Sequence, residues 1–268
     1  MKDKRILYVS SEVVPYLPET EISSTAFNVA KTAHSKGVQT RIFMPRFGVI
    51  NERRHQLHEV IRLSGMNLVV NDMDMPLIIK VASIPKERMQ VYFIDNDEYF
   101  KRKAIFTDED DQLFSDNDER AIFFAKGVVE TVKKLNWAPD IIHVHGWMAS
   151  LLPLYLKKYY SEEPLFSDSK IITSVYNKDL TGALNNDLAE KVMFDKIESE
   201  DIENLKEPDY QGLLKTAIHN SDAIILGSNE IDEELISFIE KSEKPSLEFN
   251  DEDPEHYLNF YKSLVADN

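Results

Sequence analysis

Residues 5–27, RILYVSSEVVPYLPETEISSTAF, decide the fold. Ile6, Leu7, Tyr8 and Val9 make an apolar run of strand length, and Ser10, Ser11 and Glu12 stop it. A loop closed by two prolines follows, and then a helical pattern opens. Strand, loop and helix N-terminus in that order is where α/β proteins usually hold a phosphate, because first-turn N–H groups lack intrahelical partners and point outward. Such a site normally uses glycine so that the backbone can approach the anion. This loop has none: Pro18, Glu19, Thr20, Glu21 and Ile22 occupy it. Both glutamates interact favourably with the positive end of the helix dipole, so the loop reads as filling its own anion site.

Outward from this stretch, residues 22–36 carry Ile22, Ala26, Val29, Ala30 and Ala33 at helical spacing, and Gly37 ends them as a C-cap does. Residues 38–44 read as the second strand and 51–58 as an exposed connection. Residues 59–70 and 76–83 alternate apolar and polar positions, which predicts an antiparallel hairpin on the edge of an otherwise parallel sheet. Residues 91–95 return to a buried run. The charged segment 101–118 reads as a mobile loop, followed by a long helix from Asn117 or Asp118, as N-caps, to Leu135. A strand at 141–144, an apolar helix at 148–159 and a strand at 170–175 come next. The polar stretch 176–207 shows few positions suited to burial, with partial helix over 186–197. Helix 210–219, strand 223–227 and helix 230–239, opened by Ser228 or Asn229, end the sheet. Residues 241–254 read as an acidic linker and 255–265 as an amphipathic helix.

The expectation is one Rossmann-like α/β domain over residues 1–240 with a mostly parallel sheet and a β-hairpin insertion. Residues 241–268 are expected to pack back onto it and cover an apolar patch.

Acidic residues outnumber basic ones 47 to 31, a net charge of −16. That surface repels nucleic acid, anionic membranes and, at long range, sugar nucleotides, whereas a neutral polysaccharide does not feel it. Cysteine is absent, which removes disulfide and thiolate chemistry. Glycine contributes 8 of 268 residues, about 3% against a usual ~7%, which argues against a glycine-rich phosphate loop anywhere in the chain. No segment resembles a signal peptide or approaches a membrane span of roughly 20 apolar residues. The expectation is a cytoplasmic protein with no cofactor, no metal and no nucleic-acid or membrane partner.

YVSSEVVPYL (8–17), RIFMPRFG (41–48), VYFIDNDEYFKRK (91–103), FSDNDERAIFFAKGVVE (114–130) and DIIHVHGWMASLLPLYL (140–156) together resemble the N-terminal half of the glycogen and starch synthases. The likeness runs over residues 5–239. These retaining glycosyltransferases have two Rossmann-like domains facing across a cleft, the GT-B fold, and move glucose from ADP- or UDP-glucose to an α-1,4-glucan. At roughly 200 residues or more per half, the resemblance implies that the donor-binding second half is absent here.

Carried over by position, the family's Lys-Thr-Gly-Gly-Leu loop falls on Pro18, Glu19, Thr20, Glu21 and Ile22, with the lysine and both glycines replaced. The family has Asp at the position of Gly146 and a sugar-contacting His at Met148. Its Thr-Val-His-Asn appears as Ser174-Val175-Tyr176-Asn177, and tyrosine does not replace imidazole as a base near neutral pH. The resemblance also places Glu12 and Asn177 near the cleft and Lys215 on a related helix, where a salt-bridged surface lysine is the plain alternative.

On their own chemistry, His143 and His145 share one strand face near its C-terminal end. They suit hydrogen-bonded structural histidines, a retained sugar contact or, with no third ligand visible, a metal pair. Trp147 suits either stacking on a glucan or the core. The run Asp108–Asp111 lacks the glycine and spacing of a calcium loop. No catalytic residue stands out. The leading expectation is a degenerate synthase-like domain that does not transfer glucose alone and binds α-glucan or a protein. Its rivals are a half-enzyme completed by a separate donor-binding domain, and a small-molecule enzyme reusing the cleft around Glu12, His143 and His145.

Overall fold

The apolar run that follows Arg5 becomes the central strand, paired in parallel on both sides and fully buried after its first residue, as parallel strands covered on both faces are. The computed structural model describes residues 1–250 and 255–266. Its strands are β1 (Arg5–Ser10), β2 (Gln39–Pro45), β3 (His58–Glu59), β4 (Met66–Val70), β5 (Met73–Ser83), β6 (Gln90–Asp95), β7 (Ile141–His145), β8 (Lys170–Val175), β9 (Ala223–Leu226) and β10 (Ser246–Leu247). Its helices are α1 (Glu21–Ser35), α2 (Glu52–His55), α3 (Asp97–Phe100), α4 (Asn117–Leu135), α5 (Leu152–Lys157), α6 (Leu188–Phe194), α7 (Tyr210–His219), α8 (Glu233–Lys241) and α9 (His256–Val265).

The sheet runs β10-β9-β8-β7-β1-β2-β6-β5-β3, with β4 paired to β5. From β10 to β6 every pairing is parallel; β5 joins β6 antiparallel and carries the β4–β5 hairpin, so the mostly parallel sheet with a hairpin edge is as the sequence implies. β1 leads to β2 on one side, while the chain later returns to β7 on the other. The crevice at the C-terminal ends of β1 and β7 is therefore the topological switch point, where ligands of such sheets bind. Right-handed crossovers in opposite directions put α1 on one face and α4, α5 and α7 on the other. Gly127 lets α4 lie close to β6, since a Cβ there would stand 2.7 Å from Ile94 Cγ2.

Several local expectations change. The apolar helix expected over 148–159 splits into a 3₁₀ turn at Trp147–Ala149 and α5, because Pro153 has no N–H with which to continue the first turn. The sheet does not stop after residue 227, for β10 adds in parallel to β9. Residues 59–70 hold two short strands rather than one, α2 interrupts the 51–58 connection, and Asp232 rather than Ser228 or Asn229 caps α8. The N-cap of α4 is Asp116, with Asn117 and Asp118 inside the first turn.

The segment 101–118 is pinned: Arg102 donates to Asp116 at 2.6 Å, Asn117 Nδ2 to Phe106 O at 2.8 Å, and Phe106 packs 4.8 Å from Trp147. The polar stretch 176–207 buries Leu180, Leu184, Leu188, Val192, Ile197, Ile202 and Leu205, so it belongs to the core. Those leucines and isoleucines are spaced too irregularly to show a face until α6 and the 3₁₀ helix Ser199–Lys206 place them.

The expected 241–254 linker is described to residue 250; its last four residues lie outside the described ones. α9 lies beside α1, where Lys36 pairs with Glu255 at 2.5 Å, and buries Tyr257, Leu258 and Tyr261. Tyr261, fully buried, bonds His143 Nδ1 at 2.6 Å. Tyr261→Ala removes both ring and hydroxyl and is expected to lower unfolding stability by about 3–5 kcal/mol. Tyr261→Phe, which leaves the imidazole short of a partner, is expected to lower it by about 1–2 kcal/mol in denaturant titrations.

Candidate functional site

At the exit of β1 the chain caps its own helix. Thr20 is the N-cap of α1: Ser23 N donates to Thr20 Oγ1 at 3.0 Å, and Thr20 N donates to Ser23 Oγ at 2.8 Å. This reciprocal box satisfies donors that would otherwise face a ligand. Thr20 Oγ1 also donates to Glu12 Oε2 at 2.6 Å, and burial raises the Glu12 carboxyl despite that bond. Ser24 donates to Glu19 at 3.3 Å. Glu21 accepts from Ser228 beyond β9, and the same Ser228 Oγ accepts from Asn177 N at 3.0 Å. Pro18 is exposed and only its carbonyl is engaged, by Ser23 Oγ at 2.9 Å, while Ile22 turns into the core. Glu12, Glu19 and Glu21 thus lie about the start of α1, and Glu21 ties it through Ser228 to the loops after β8 and β9. Lys31, farther along the same helix, is held by Glu87 at 2.9 Å.

At the exit of β7 the side chains face inward. His143 and His145 are both at 0% exposure, their rings 3.9 Å apart. His143 is held between Tyr261 and, at 2.7 Å, Ser174 Oγ; His145 Nδ1 meets Tyr176 OH at 2.7 Å. Burial pushes both imidazoles down, His145 to about 3, so both are neutral near pH 7. Among the described residues no group of three or more His, Asp or Glu gathers to hold a metal.

Trp147, 1% exposed, packs against Phe106 and has no face free for a sugar, and Tyr176 is equally buried. Of the expected cleft residues, only Glu12 and Asn177 reach solvent. Lys215 is engaged by Glu234 and, at 3.4 Å, Gln211. Asp108 closes its own loop, accepting from Asp110 N and Gln112 N at 2.9 Å each.

Asp179, which the sequence does not single out, organises this exit together with Gly146. Gly146 has φ +79°, and a Cβ on it would stand 2.5 Å from Ser11 Oγ and 3.4 Å from Asp179 Oδ2. Asp179 thus brings a carboxylate against the position where the resembling motif carries one, and accepts from Trp147 N at 2.9 Å. Ser11 completes the turn: its N donates to His145 O at 3.0 Å and its Oγ accepts from Met148 N at 3.1 Å. Asp179 as a residue is half-buried, but Oδ1 is out of solvent without a hydrogen bond. Burial, offset by the Trp147 bond and reinforced by Glu12, raises its carboxyl to about 7. No local pattern announces Asp179; 33 residues separate it from its glycine.

A family model described as the starch synthase catalytic domain matches residues 5–244. The chain belongs to that family. Glycogen synthase of Chlorobium limicola is 38% identical over 196 residues, covering 73% of this chain and 40% of the relative. Glycogen synthase of Chlorobium luteolum is 33% identical over 241 residues, covering 88% and 48%. This starch synthase-type domain thus spans about half the length of the curated relatives it matches. The catalytic domain of starch synthase IV from Arabidopsis thaliana, bound to ADP and acarbose, superposes with a TM-score of 0.66 at 16% identity over 83% of this chain and 44% of that one. At that identity the match shows the shared fold, a GT-B Rossmann-like half.

Two tests follow from the β7 exit of this synthase-type domain. Gly146→Ala forces a Cβ into Ser11 at a φ that L-residues rarely adopt, and is expected to destabilise the fold by about 2–4 kcal/mol in chemical denaturation. An unfolded aspartate titrates near 3.9, so the raised folded value means that burying Asp179 carries no penalty below that pH and its full penalty above about pH 7. Asp179→Asn, which keeps an acceptor for Trp147 N, is expected to gain about 2 kcal/mol over the parent at pH 8 and almost nothing at pH 4, once hydration of a half-buried group is allowed for. Denaturant midpoints across pH 4–8 read the difference.

Proposed function

We propose that this domain is a degenerate member of the starch synthase catalytic family that does not transfer glucose from ADP- or UDP-glucose by itself and binds a neutral α-glucan. The observation that carries the reading is the cluster of Glu12, Glu19 and Glu21 about the self-capped N-terminus of α1. Resemblance puts a lysine and two glycines in this loop, where backbone and cation can approach donor and acceptor. Carboxylates there reverse the sign of a contact that is worth several kcal/mol near a desolvated diphosphate, roughly the difference between binding and exclusion. Pro18 supplies no N–H donor in the lysine's place. The net charge of −16 acts in the same direction at longer range.

For the glucan, the support is a groove of about 830 Å³ between α1 and the segment leading to α9, with Thr25, Asn28 and Thr32 on one wall and Phe249 and Tyr257 on the other. Hydroxyls and an amide opposite aromatic faces match the alternating polar rim and apolar C–H face of a sugar ring. A protein partner is the competing ligand class for the same framework.

Isothermal titration with ADP-glucose and UDP-glucose to about 5 mM is expected to give no binding heat, since even a millimolar Kd is readable at that concentration. Electrophoresis through a glycogen-containing gel is expected to retard the protein, and Asn28→Ala with Thr32→Ala to relieve the retardation. Elongation of a maltooligosaccharide by the purified chain would overturn the loss of transfer. Unretarded migration would remove the glucan and leave the protein partner.

A further inference from the structure

At the N-terminal ends of the strands, away from the crevice, basic side chains gather on this acidic molecule. Arg41 of β2 pairs with Leu7 of β1, so Arg5, two residues before Leu7, faces the same side of the sheet. That side is the α4 face, because Arg41 Cζ lies 4.6 Å from the ring centre of Trp137, just past α4, and 5.6 Å from that of Tyr92 on β6. Lys134, in the last turn of α4, donates to Leu63 O at 3.1 Å, which brings Arg62 to the same corner. Gln90 stands beside Arg41, one step before the Ile42–Val91 pair, and uses its amide oxygen on Tyr92 OH at 3.1 Å.

The carboxylates of this corner are engaged elsewhere. Asp140 takes Lys4 and the Arg5 N–H, both at 2.8 Å, and Glu130 and Glu163 share Lys133. Glu59 pairs with Lys80 across β3 and β5 and so faces the other side of the sheet. Asp3, exposed in the turn before β1, remains, as does the negative end of the α4 dipole, about half a charge; four cations outweigh both. Among the described residues Arg5, Arg41, Arg62 and Lys134 take part in no ion pair. Burial lowers the Arg41 guanidinium, and the like charges of Arg5 and Arg62 lower it further against the pull of Tyr92. Its Nη1 is out of solvent with no acceptor, a rare state for a charged donor in a native fold.

We propose that this corner binds a terminal phosphate group, with Arg41, held against Trp137, taking its oxygens through the guanidinium fork and Arg5, Arg62 and Lys134 closing around it. A phosphate monoester presents three acceptor oxygens and nearly two charges at pH 7. The diphosphate of a sugar nucleotide is esterified at both ends and has no such terminal group. The net charge of −16 opposes any anion at a distance, but at physiological salt that field is screened over about 8 Å, so the local cations decide at contact.

Inorganic phosphate and glycerol phosphate, titrated into the full chain against sodium chloride of matched ionic strength, are expected to change the tryptophan fluorescence and raise the melting temperature, with a dissociation constant of about 1 mM. Trp137 is one of two tryptophans and touches Arg41, so a ligand there alters its surroundings. Arg5→Gln combined with Arg62→Gln is expected to weaken binding at least about tenfold while leaving the melting temperature of the free chain unchanged, since both side chains lie outside the core. Arg41→Lys keeps the charge but loses the fork, and is expected to weaken binding about fivefold. ADP-glucose is expected to leave the fluorescence unchanged. A response no larger than that to chloride overturns the proposal, and so does binding that survives the Arg5 and Arg62 substitutions, since the anion then sits elsewhere. Citrate binding as tightly as glycerol phosphate overturns the assignment to phosphate.

Discussion

A fully buried imidazole holds the functional end of this molecule together. His143 sits in β7, shares one hydrogen bond with Ser174 of β8 and another with Tyr261 of α9, 118 residues away. Both ring nitrogens are thereby used, which is the condition for keeping a polar ring in a dry core without a penalty of about 1–3 kcal/mol for each group left unpaired. The neighbouring His145 shares the sheet face and bonds Tyr176, and burial keeps both rings neutral. Removing α9 would open the core at the strands that define the switch point, so the helix is part of the domain's interior rather than an appendage.

The crevice that results is closed by two different devices. After β1, a helix N-terminus that would accept an anion is satisfied by Thr20 and Ser23, with Glu12, Glu19 and Glu21 about it. After β7, Gly146 turns the chain through a conformation open to glycine, and the space a side chain would fill is taken by Ser11 and Asp179. Both devices turn backbone donors inward. The Rossmann-like half of the family's fold is present, and at these two exits Thr20 and Ser23 cap the helix while Asp179 and Ser11 hold the turn.

Much of the fold is legible because periodicity and punctuation report local burial. Ile6–Val9, the stripe of Ile22 to Ala33 and the alternation in β5 each name their element directly. The stretch 176–207 is illegible for the opposite reason: its buried residues are irregularly spaced and serve a surface built by α4 and α7. Trp147 and Tyr176 mislead as site candidates because a residue type suited to sugar contact is equally suited to a core, and only packing against Phe106 and His145 decides between them.

The sequence by itself determined the family, the order of the main strands and helices, the hairpin edge and the acidic, glycine-poor loop where a phosphate grip is expected, since each depends on residue type or on neighbours a few positions apart. The tertiary structure decided what that order encloses: the partnership of His143 with Tyr261, the arrival of Asp179 beside Gly146, the bond from Ser228 to Glu21 and the meeting of the Val69 carbonyl, the Tyr159 ring and Asp195 at Lys126. Each joins residues 33 to 207 positions apart, and contacts of that span leave no trace in local pattern because only the closed fold brings them within reach.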